Sequence, residues 1–572
     1  MRIPSLANER AHTRWQIAMF EIRAWAFRLR RMIDDGVGAQ RPSRHRAGDR
    51  LRDAPILAGF EGTIWPRDEA HDALVVGKIH NLRLAGKRFH ALEVPAGAVF
   101  SFWKQLGRAS TSRGFVVGRE LREGCVIPAT GGGLCQLSNA IYDCAVRAGL
   151  DVVERHRHSR ILPGSLAEFD RDATVFWNYL DLRLRAPFEW RLEIALDAEK
   201  LHVRIRGEHA PASEALPIAL RTRTAEAPGD CTSCDQTECD RHAGPQATSR
   251  HRTWLFHDPW PEFRALHERE RAARDRVLGM HPRPGRYRHL SFAHIHAALR
   301  TRWALWRKQP LPKARGDGLE IAARAIARSL QPDDLHLLIE QGVLPYLWRD
   351  GELAGRRFDV LMNALPMEAI QTRLDAAARL HPDCETLRDF RAPAGLLEAE
   401  RDALAHASHW ITPHAQIAQL AGERAVLLDW CVPDVVGPSR TSDRGIKRSV
   451  LLPASSLARK GVYELRDALR GMDACLLLPP GATEAADFWN GIDVQRVASI
   501  AEGVALCDVV VLPAWIEHQP RGLLLAIAMG KPVIATAVCG LSPSPRWDCT
   551  PEGDVRALRR LILRCLAMPD GT

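Results

Sequence analysis

The sequence predicts a multidomain protein of two classes joined in one chain, an α+β domain followed by an α/β region built on a parallel sheet. Three observations carry this. At 572 residues the chain is too long for one ordinary core. A helix start at residues 130–144, TGGGLCQLSNAIYDC, is followed by alternating apolar and polar residues that run to about 208. From about 321 onward, short unbroken apolar runs alternate with helical segments.

The elements follow in order. Residues 1–59 hold a basic amphipathic helix and then a polar segment. Within 9–31, Trp15, Phe20, Trp25, Phe27 and Leu29 interleave with Arg14, Arg23, Arg28, Arg30 and Arg31, a pattern that suits either an anionic membrane surface or packing on the protein itself. Residues 60–208 form the α+β domain. Gly131–Gly133 permit backbone angles and close approaches denied to other residues. From Leu134 the residues Leu137, Ile141, Cys144 and Ala148 recur at helical spacing, and Gly149 stands where the helix ends. Cys135 therefore falls in the first turn, where free N–H groups and the helix dipole favour a thiolate; a buried cysteine under a tight turn fits the same residues. ATVFWNYLDLRLR reads as a strand with one break in phase. RLEIALDAEKLHVRIRGE reads as a hairpin, with Leu192, Ile194 and Leu196 facing Leu201, Val203 and Ile205.

Residues 209–250 form a connector with a dense cysteine cluster, and 251–320, with EFRALHERERAARDRVL, read as a helical spacer. In 321–572 the runs RFDVLMNAL, HWITPH, RAVLLDW, RSVLLPA, ACLLLPP, DVVVLPAW and KPVIATAV have the length and continuity of strands buried on both faces of a parallel sheet. Ligands of such sheets bind at the carboxyl ends of the strands.

Composition narrows the function. The 79 basic residues are balanced by 69 acidic ones, which indicates a solvated arginine-rich surface and no nucleic-acid partner. No apolar stretch approaches the roughly 20 residues of a membrane span. MRIPSLANERAHTRWQ lacks the marks of a secretory leader, so the expected place is the cytoplasm, with peripheral contact at the inner membrane face through residues 9–31. Thirteen scattered cysteines suit free thiols and one local metal site better than a disulfide framework. In GDCTSCDQTECDRHAG, Cys231, Cys234, Cys239 and His242 supply four soft ligands in the spacing of structural zinc; an iron–sulfur cluster is the alternative.

HNLRLA (80–85), PAGAVFSFWKQLG (95–107), RGFVVGRELREG (113–124), GGGLCQLS (131–138) and ERHRHS (154–159) resemble, in order, the VanW family, which is implicated in glycopeptide resistance. Within this domain Cys135 is followed by His156 and His158 and then Asp172, the chain order of transglutaminase-like thiol enzymes, in which a histidine takes the thiol proton and the acid orients the histidine. The two histidines equally fit a metal site or a structural role.

RSVLLPASSLARKG (448–461) and DVVVLPAWIEHQPRGLLLAIAMGKPVIAT (508–536) resemble the Rossmann-like C-terminal half of retaining GT-B glycosyltransferases. The resemblance implies a nucleotide-sugar donor. Lys460, beside Gly461, would contact the donor diphosphate, Glu517 would reach the sugar, and Arg459 or Arg521 would compensate for Ser455, which stands where the family has an arginine. Leu525 replaces the family's second glutamate. The leading expectation is thus sugar transfer from a nucleotide sugar to an envelope acceptor. Its rivals are a non-catalytic GT-B module beside a Cys135 thiol acyltransferase or peptidase, and a zinc-stabilised scaffold.

Overall fold

The computed structural model describes residues 13–37, 41–65, 73–122, 125–158, 161, 164–208, 229–230, 239, 251–279, 288–289, 291–307, 311–389, 391–432 and 448–567. It divides into two compact units, Met1–His251 with Leu330–Leu335 and Gly351–Arg357, and Arg252–Ser329 with His336–Asp350 and Phe358–Thr572.

The first unit contains α1 (Arg14–Val37), β1 (Arg46–Ala47), β2 (Ile56–Thr63), α2 (Ala73–Phe89), β3 (Leu92–Val94), β4 (Phe100–Ser101), α3 (Phe102–Leu106), β5 (Val117–Arg122), β6 (Cys125–Thr130), α4 (Leu134–Arg147), β7 (Asp151–Glu154), β8 (Arg183–Arg185), β9 (Trp190–Leu196), β10 (Lys200–Gly207) and β11 (Gly229–Asp230). An antiparallel sheet of order β1-β3-β9-β10-β2 carries the core. Its hairpin has the expected register, pairing Leu196 with Leu201, Ile194 with Val203 and Leu192 with Ile205. These residues share one core with Ile79, Leu82 and Phe89 of α2 and with Leu137 and Ile141 of α4. The helical stripe of α4 is fully buried, and Gly149 follows it at φ 75°, the left-handed conformation common just past a helix end.

Two small sheets, β4-β8-β7 and β11-β6-β5, complete this unit. The strand expected in ATVFWNYLDLRLR is shorter than its pattern. Phe176 and Leu180 bridge each other, Asn178 sits at φ 58°, and regular pairing resumes only at β8. The phase break is therefore a reverse turn, at a residue type that tolerates the left-handed region.

The second unit holds two sheets in tandem. The first comprises β12 (Arg252–Phe256), β13 (Arg276–Gly279), β14 (Arg288–His289), β15 (His336–Glu340), β16 (Arg357–Leu361), β17 (Trp410–Thr412) and β18 (Ala425–Leu427), in the order β14-β13-β12-β15-β16-β17-β18. The second comprises β19 (Arg448–Leu451), β20 (Ala474–Leu478), β21 (Asp493–Arg496), β22 (Val509–Leu512), β23 (Val533–Ala535) and β24 (Asp548–Cys549), in the order β21-β20-β19-β22-β23-β24. The pairings described in both are parallel. Every residue of β20 and β22 is buried, which is why ACLLL and VVVL lack alternation. In both sheets the third, second and first strands are followed by the fourth, the doubly wound order with a switch point between first and fourth.

The segment 251–320 holds the helices Pro261–Glu270 and Ser291–Trp306 and the start of Leu311–Ser329, but it also supplies β12, β13 and β14, and the helix in EFRALHERERAARDRVL is confined to Pro261–Glu270. The charged run ERERAARDR conceals the point where helix gives way to β13, whose Val277 and Leu278 are buried.

Candidate functional site

In the first unit, β6 leads through Gly131–Gly133 into α4, so Cys135 is the second residue of the helix. In its first turn Gln136 N–H donates to Gly133 O at 3.0 Å, and no i−4 acceptor within the helix is available to the other first-turn N–H groups. One face of α4 grips the segment that carries Asp172. The Cys135 Sγ donates to Val175 O at 3.8 Å, the Ser138 hydroxyl to Ala173 O at 2.6 Å, and Asn139 Oδ1 accepts from Ala173 N–H at 2.8 Å. Positions i, i+3 and i+4 of a helix share a face, so Ser138 and Asn139 of CQLSN carry a positioning role that the motif reading overlooked.

Asp172 is fully buried. Its Oδ2 accepts from the His158 backbone N–H at 2.6 Å and the ring Nδ1–H at 2.8 Å, while Oδ1 accepts from Arg155 at 3.0 Å. Arg155 also reaches Asp170 and lies 4.7 Å from the centre of the Tyr142 ring. Burial disfavours an imidazolium at His158, but its hydrogen bonds to Asp172 and the nearness of Cys135 outweigh burial and hold its pKa up to about 9. Burial also raises Asp172, and the His158 contacts more than reverse this, leaving the carboxyl below its usual range. His158 and Asp172 thus form a hydrogen-bonded imidazole–carboxylate pair, and Cys135, whose Sγ bonds to Val175 O, lines the same cavity as His158. His156 is not part of it: its Nε2 lies 2.9 Å from Glu154 Oε1, and Glu154, which Arg31 and Arg183 also hold, is lowered to about 2 by these partners against the effect of burial. Cys135 and His158 line a cavity of about 820 Å³ that the glycine turn, Lys78, Arg119 and Trp177 also border.

In the second unit, the loops after β19 and β22 meet at the switch point. Gly461 has φ 73°, and a Cβ there would lie 1.9 Å from Pro513 O; the N–H groups of Trp515 and Ile516 donate to Arg459 O at 2.9 and 3.1 Å. This lock brings Lys460 Nζ to 2.8 Å from Glu517 Oε2 and 3.1 Å from Ile516 O. Glu517 also accepts from the N–H groups of His518 and Gln519 at 2.8 and 2.9 Å. Burial opposes its ionisation, but Lys460 keeps the carboxyl below its ordinary range. The neighbouring His518 is driven down to about 3 by burial. Arg521 is engaged elsewhere, in a two-pronged contact of 2.6 and 2.8 Å with Glu262 on Pro261–Glu270. At the switch point of the first sheet, Glu340 ends β15 and accepts from the N–H groups of His257 and Asp258 at 2.9 and 2.8 Å; burial pushes it up to about 7.

Of the four residues expected to bind metal in the connector, Cys231, Cys234 and His242 lie outside the described residues, and Cys239 is half-buried. Among the described residues, His251, Asp333 and Asp334 bring donor atoms within 4.8 Å of one another. His251 already lies 3.1 Å from Asp334, which also caps Gln331 N–H, and these bonds account for the grouping structurally. No described helix is long and apolar enough to cross a membrane.

Residues 77–206 match the family model described as VanW like protein. The vancomycin B-type resistance protein VanW of Enterococcus faecalis is 27% identical over 139 residues, 23% of this chain and 50% of that protein. The chain therefore spans about half the length of that relative. Among solved structures, sucrose-phosphate synthase from Thermosynechococcus elongatus aligns with a TM-score of 0.37 and 16% identity over 56% of this chain and 90% of its own. Anabaena Alr3699/HepE, in complex with UDP and glucose, aligns with a TM-score of 0.29 and 16% identity over 55% of this chain and 89% of its own. Residues 77–206 are thus similar to VanW-like proteins, and two doubly wound parallel sheets follow them in the chain.

Proposed function

We propose that the first unit is a thiol enzyme acting by acyl transfer or amide hydrolysis. The observation that supports this best is the His158 ring, bonded to Asp172 and lining one cavity with Cys135. In this reading the Cys135 thiolate bonds to an acyl carbon and the first-turn N–H groups of α4 face the developing oxyanion. Collapse breaks the bond to the leaving amine, which takes the proton of His158. Water or an acceptor amine then attacks the thioester, its proton returns to His158, and Cys135 is released. Brief treatment with iodoacetamide, followed by mapping, tests the nucleophile. Cys431 and Cys549 are exposed, and both thiols are pushed up by burial, with Glu262 and Glu552 adding to the effect. Cys135 is expected to react about tenfold faster than either. Slower reaction at Cys135, despite the histidine in the same cavity, would return it to a structural role.

A second activity, sugar transfer from a nucleotide sugar to an envelope acceptor, is proposed for the second unit. Its support is the meeting of Lys460 and Glu517 at a switch point, where such sheets bind ligands. Arg521, paired with Glu262, would have to leave that contact to reach a donor.

We further place the protein in the cytoplasm, at the membrane face, through α1. One side of this helix packs on its own unit, with Phe27 stacked on Tyr179 and Arg28 bonded to Trp177 O. The other exposes Trp15, Ile22, Trp25, Leu29 and Met32, three and four residues apart after Trp15 and Ile22, beside exposed Arg23 and Arg30. Vesicles rich in anionic phosphatidylglycerol should sediment the wild-type protein, and Trp15→Ser with Trp25→Ser should weaken this about tenfold or more. Equal sedimentation of both proteins would remove the membrane from the reading.

A further inference from the structure

The glycines around the thiol site are there to let three elements touch. A Cβ added at Gly77 of α2 would lie 1.9 Å from Val117 O on β5, and one at Gly118 would lie 2.7 Å from Gly132 O. One at Gly132 would lie 2.4 Å from the Gly118 carbonyl carbon, and one at Gly133 would lie 2.2 Å from Lys78 Cγ. The stem of Lys78 is therefore pressed against the turn that opens α4, two residues from Cys135, and Lys78 borders the same cavity.

Among the described residues the Lys78 ammonium has no hydrogen-bonding or ionic partner. Burial draws its pKa down to about 8, as expected for a cation set into protein without a counter-ion. The acids of the cavity lining do not supply one. Glu61 is matched by Lys200 at 3.3 Å and by His202 at 3.4 Å, and Glu120 by Arg122 at 2.7 Å. Lys78, Arg28, Arg108, Arg119 and Arg122 thus face the cavity against only these two glutamates.

We propose that Lys78 binds an anionic group of the substrate, so that the acyl compound attacked by Cys135 carries a carboxylate close to its scissile bond. This rests on the thiol-site reading above. The carboxylate makes and breaks no bond during transfer; it satisfies Lys78, restores that group's preference for the charged form, and fixes the acyl carbon beside the sulfur. A neutral acyl compound of the same shape would leave the ammonium without a partner.

Two alkylating reagents of nearly equal size test this. In each, the Cys135 thiolate displaces iodide from a methylene carbon, but iodoacetate is an anion and iodoacetamide is neutral. For native wild-type protein the rate ratio of iodoacetate to iodoacetamide at Cys135 is expected to exceed that in Lys78→Met by about tenfold, with Lys78→Arg recovering part of it. An unchanged ratio in folded Lys78→Met overturns the proposal. If Lys78→Met does not fold, wild type decides alone. Acetate should protect Cys135 from iodoacetamide saturably and acetamide should not; equal protection by the two, or none, overturns the proposal. Failure of both reagents to modify native Cys135 is a different result, and it sinks the thiol reading on which this one stands.

Discussion

Asp172→Asn should lower the stability of the first unit by about 3 kcal/mol and slow alkylation of Cys135 at least tenfold, a rough expectation for breaking a buried ion pair while Asp170 still pairs with Arg155. Without the carboxylate, two buried cationic groups lose their shared counter-charge and His158 loses the bond that sets its ring. The pH dependence gives a sharper signature. His158 is raised from 6.5 to about 9, so its share of the stability is complete below pH 6.5 and disappears as pH rises through 9. Asp172 is lowered from 3.8, so its share is present above that value and is lost as pH falls through the depressed pKa. The stability gap between wild type and Asp172→Asn should therefore be widest between about pH 4 and 6.5 and narrow above 9. Urea unfolding at a series of pH values measures it. A gap that does not vary with pH would show that His158 and Asp172 do not titrate as a pair.

The start of α4 could be read from sequence because three glycines, a helical stripe and a closing glycine all agree on it. The parallel strands were equally plain where burial on both faces forces unbroken apolar runs. The partner of Cys135 was not. ERHRHS sets His156 and His158 on the same side of an extended segment, and pattern alone cannot separate them. The choice is made by residues distant in the chain: Glu154, held by Arg31 and Arg183, takes His156, whereas Asp172, held in place by Ser138 and Asn139 beside it, takes His158. Lys78 carried no motif signal at all. Its position depends on contacts of Gly77, Gly118 and Gly133, which become visible only when α2, β5 and the turn are assembled. The contact of Arg521 was hidden for a similar reason, since its partner Glu262 lies 259 residues away. The two units differ in this respect. In the second, Lys460 and Glu517 are named by the resemblance of their segments to GT-B glycosyltransferases, and the strand order sets their loops at the switch point; in the first, no rule of topology brings the side chains together.

Lys460→Ala tests whether that switch point binds a nucleotide sugar or is merely braced. The side chains of Lys460 and Glu517 are 14% and 12% exposed, so removing the lysine strands a carboxylate that is largely out of water. A loss of about 2–4 kcal/mol is expected from this alone, and a fall in nucleotide affinity could then reflect unfolding. Combining Lys460→Ala with Glu517→Gln separates the two effects. The double variant retains no unpaired charge and should recover most of the lost stability. If Lys460 contacts a diphosphate, the same variant should still bind UDP about thirtyfold more weakly than wild type, because its cation is gone. Glu517→Gln alone frees Lys460 from its ion pair. It should bind UDP at least as well as wild type and lose sugar transfer instead, since the carboxylate proposed to face the sugar is neutral. Calorimetric titration with UDP and urea unfolding on the four proteins give both quantities. Recovery of stability together with wild-type UDP affinity in the double variant would make Lys460 a brace for Glu517 and place any diphosphate elsewhere. If wild type binds no nucleoside diphosphate of any base at millimolar concentration, the departures at Ser455 and Leu525 have removed the donor site, and the ion pair survives as structure.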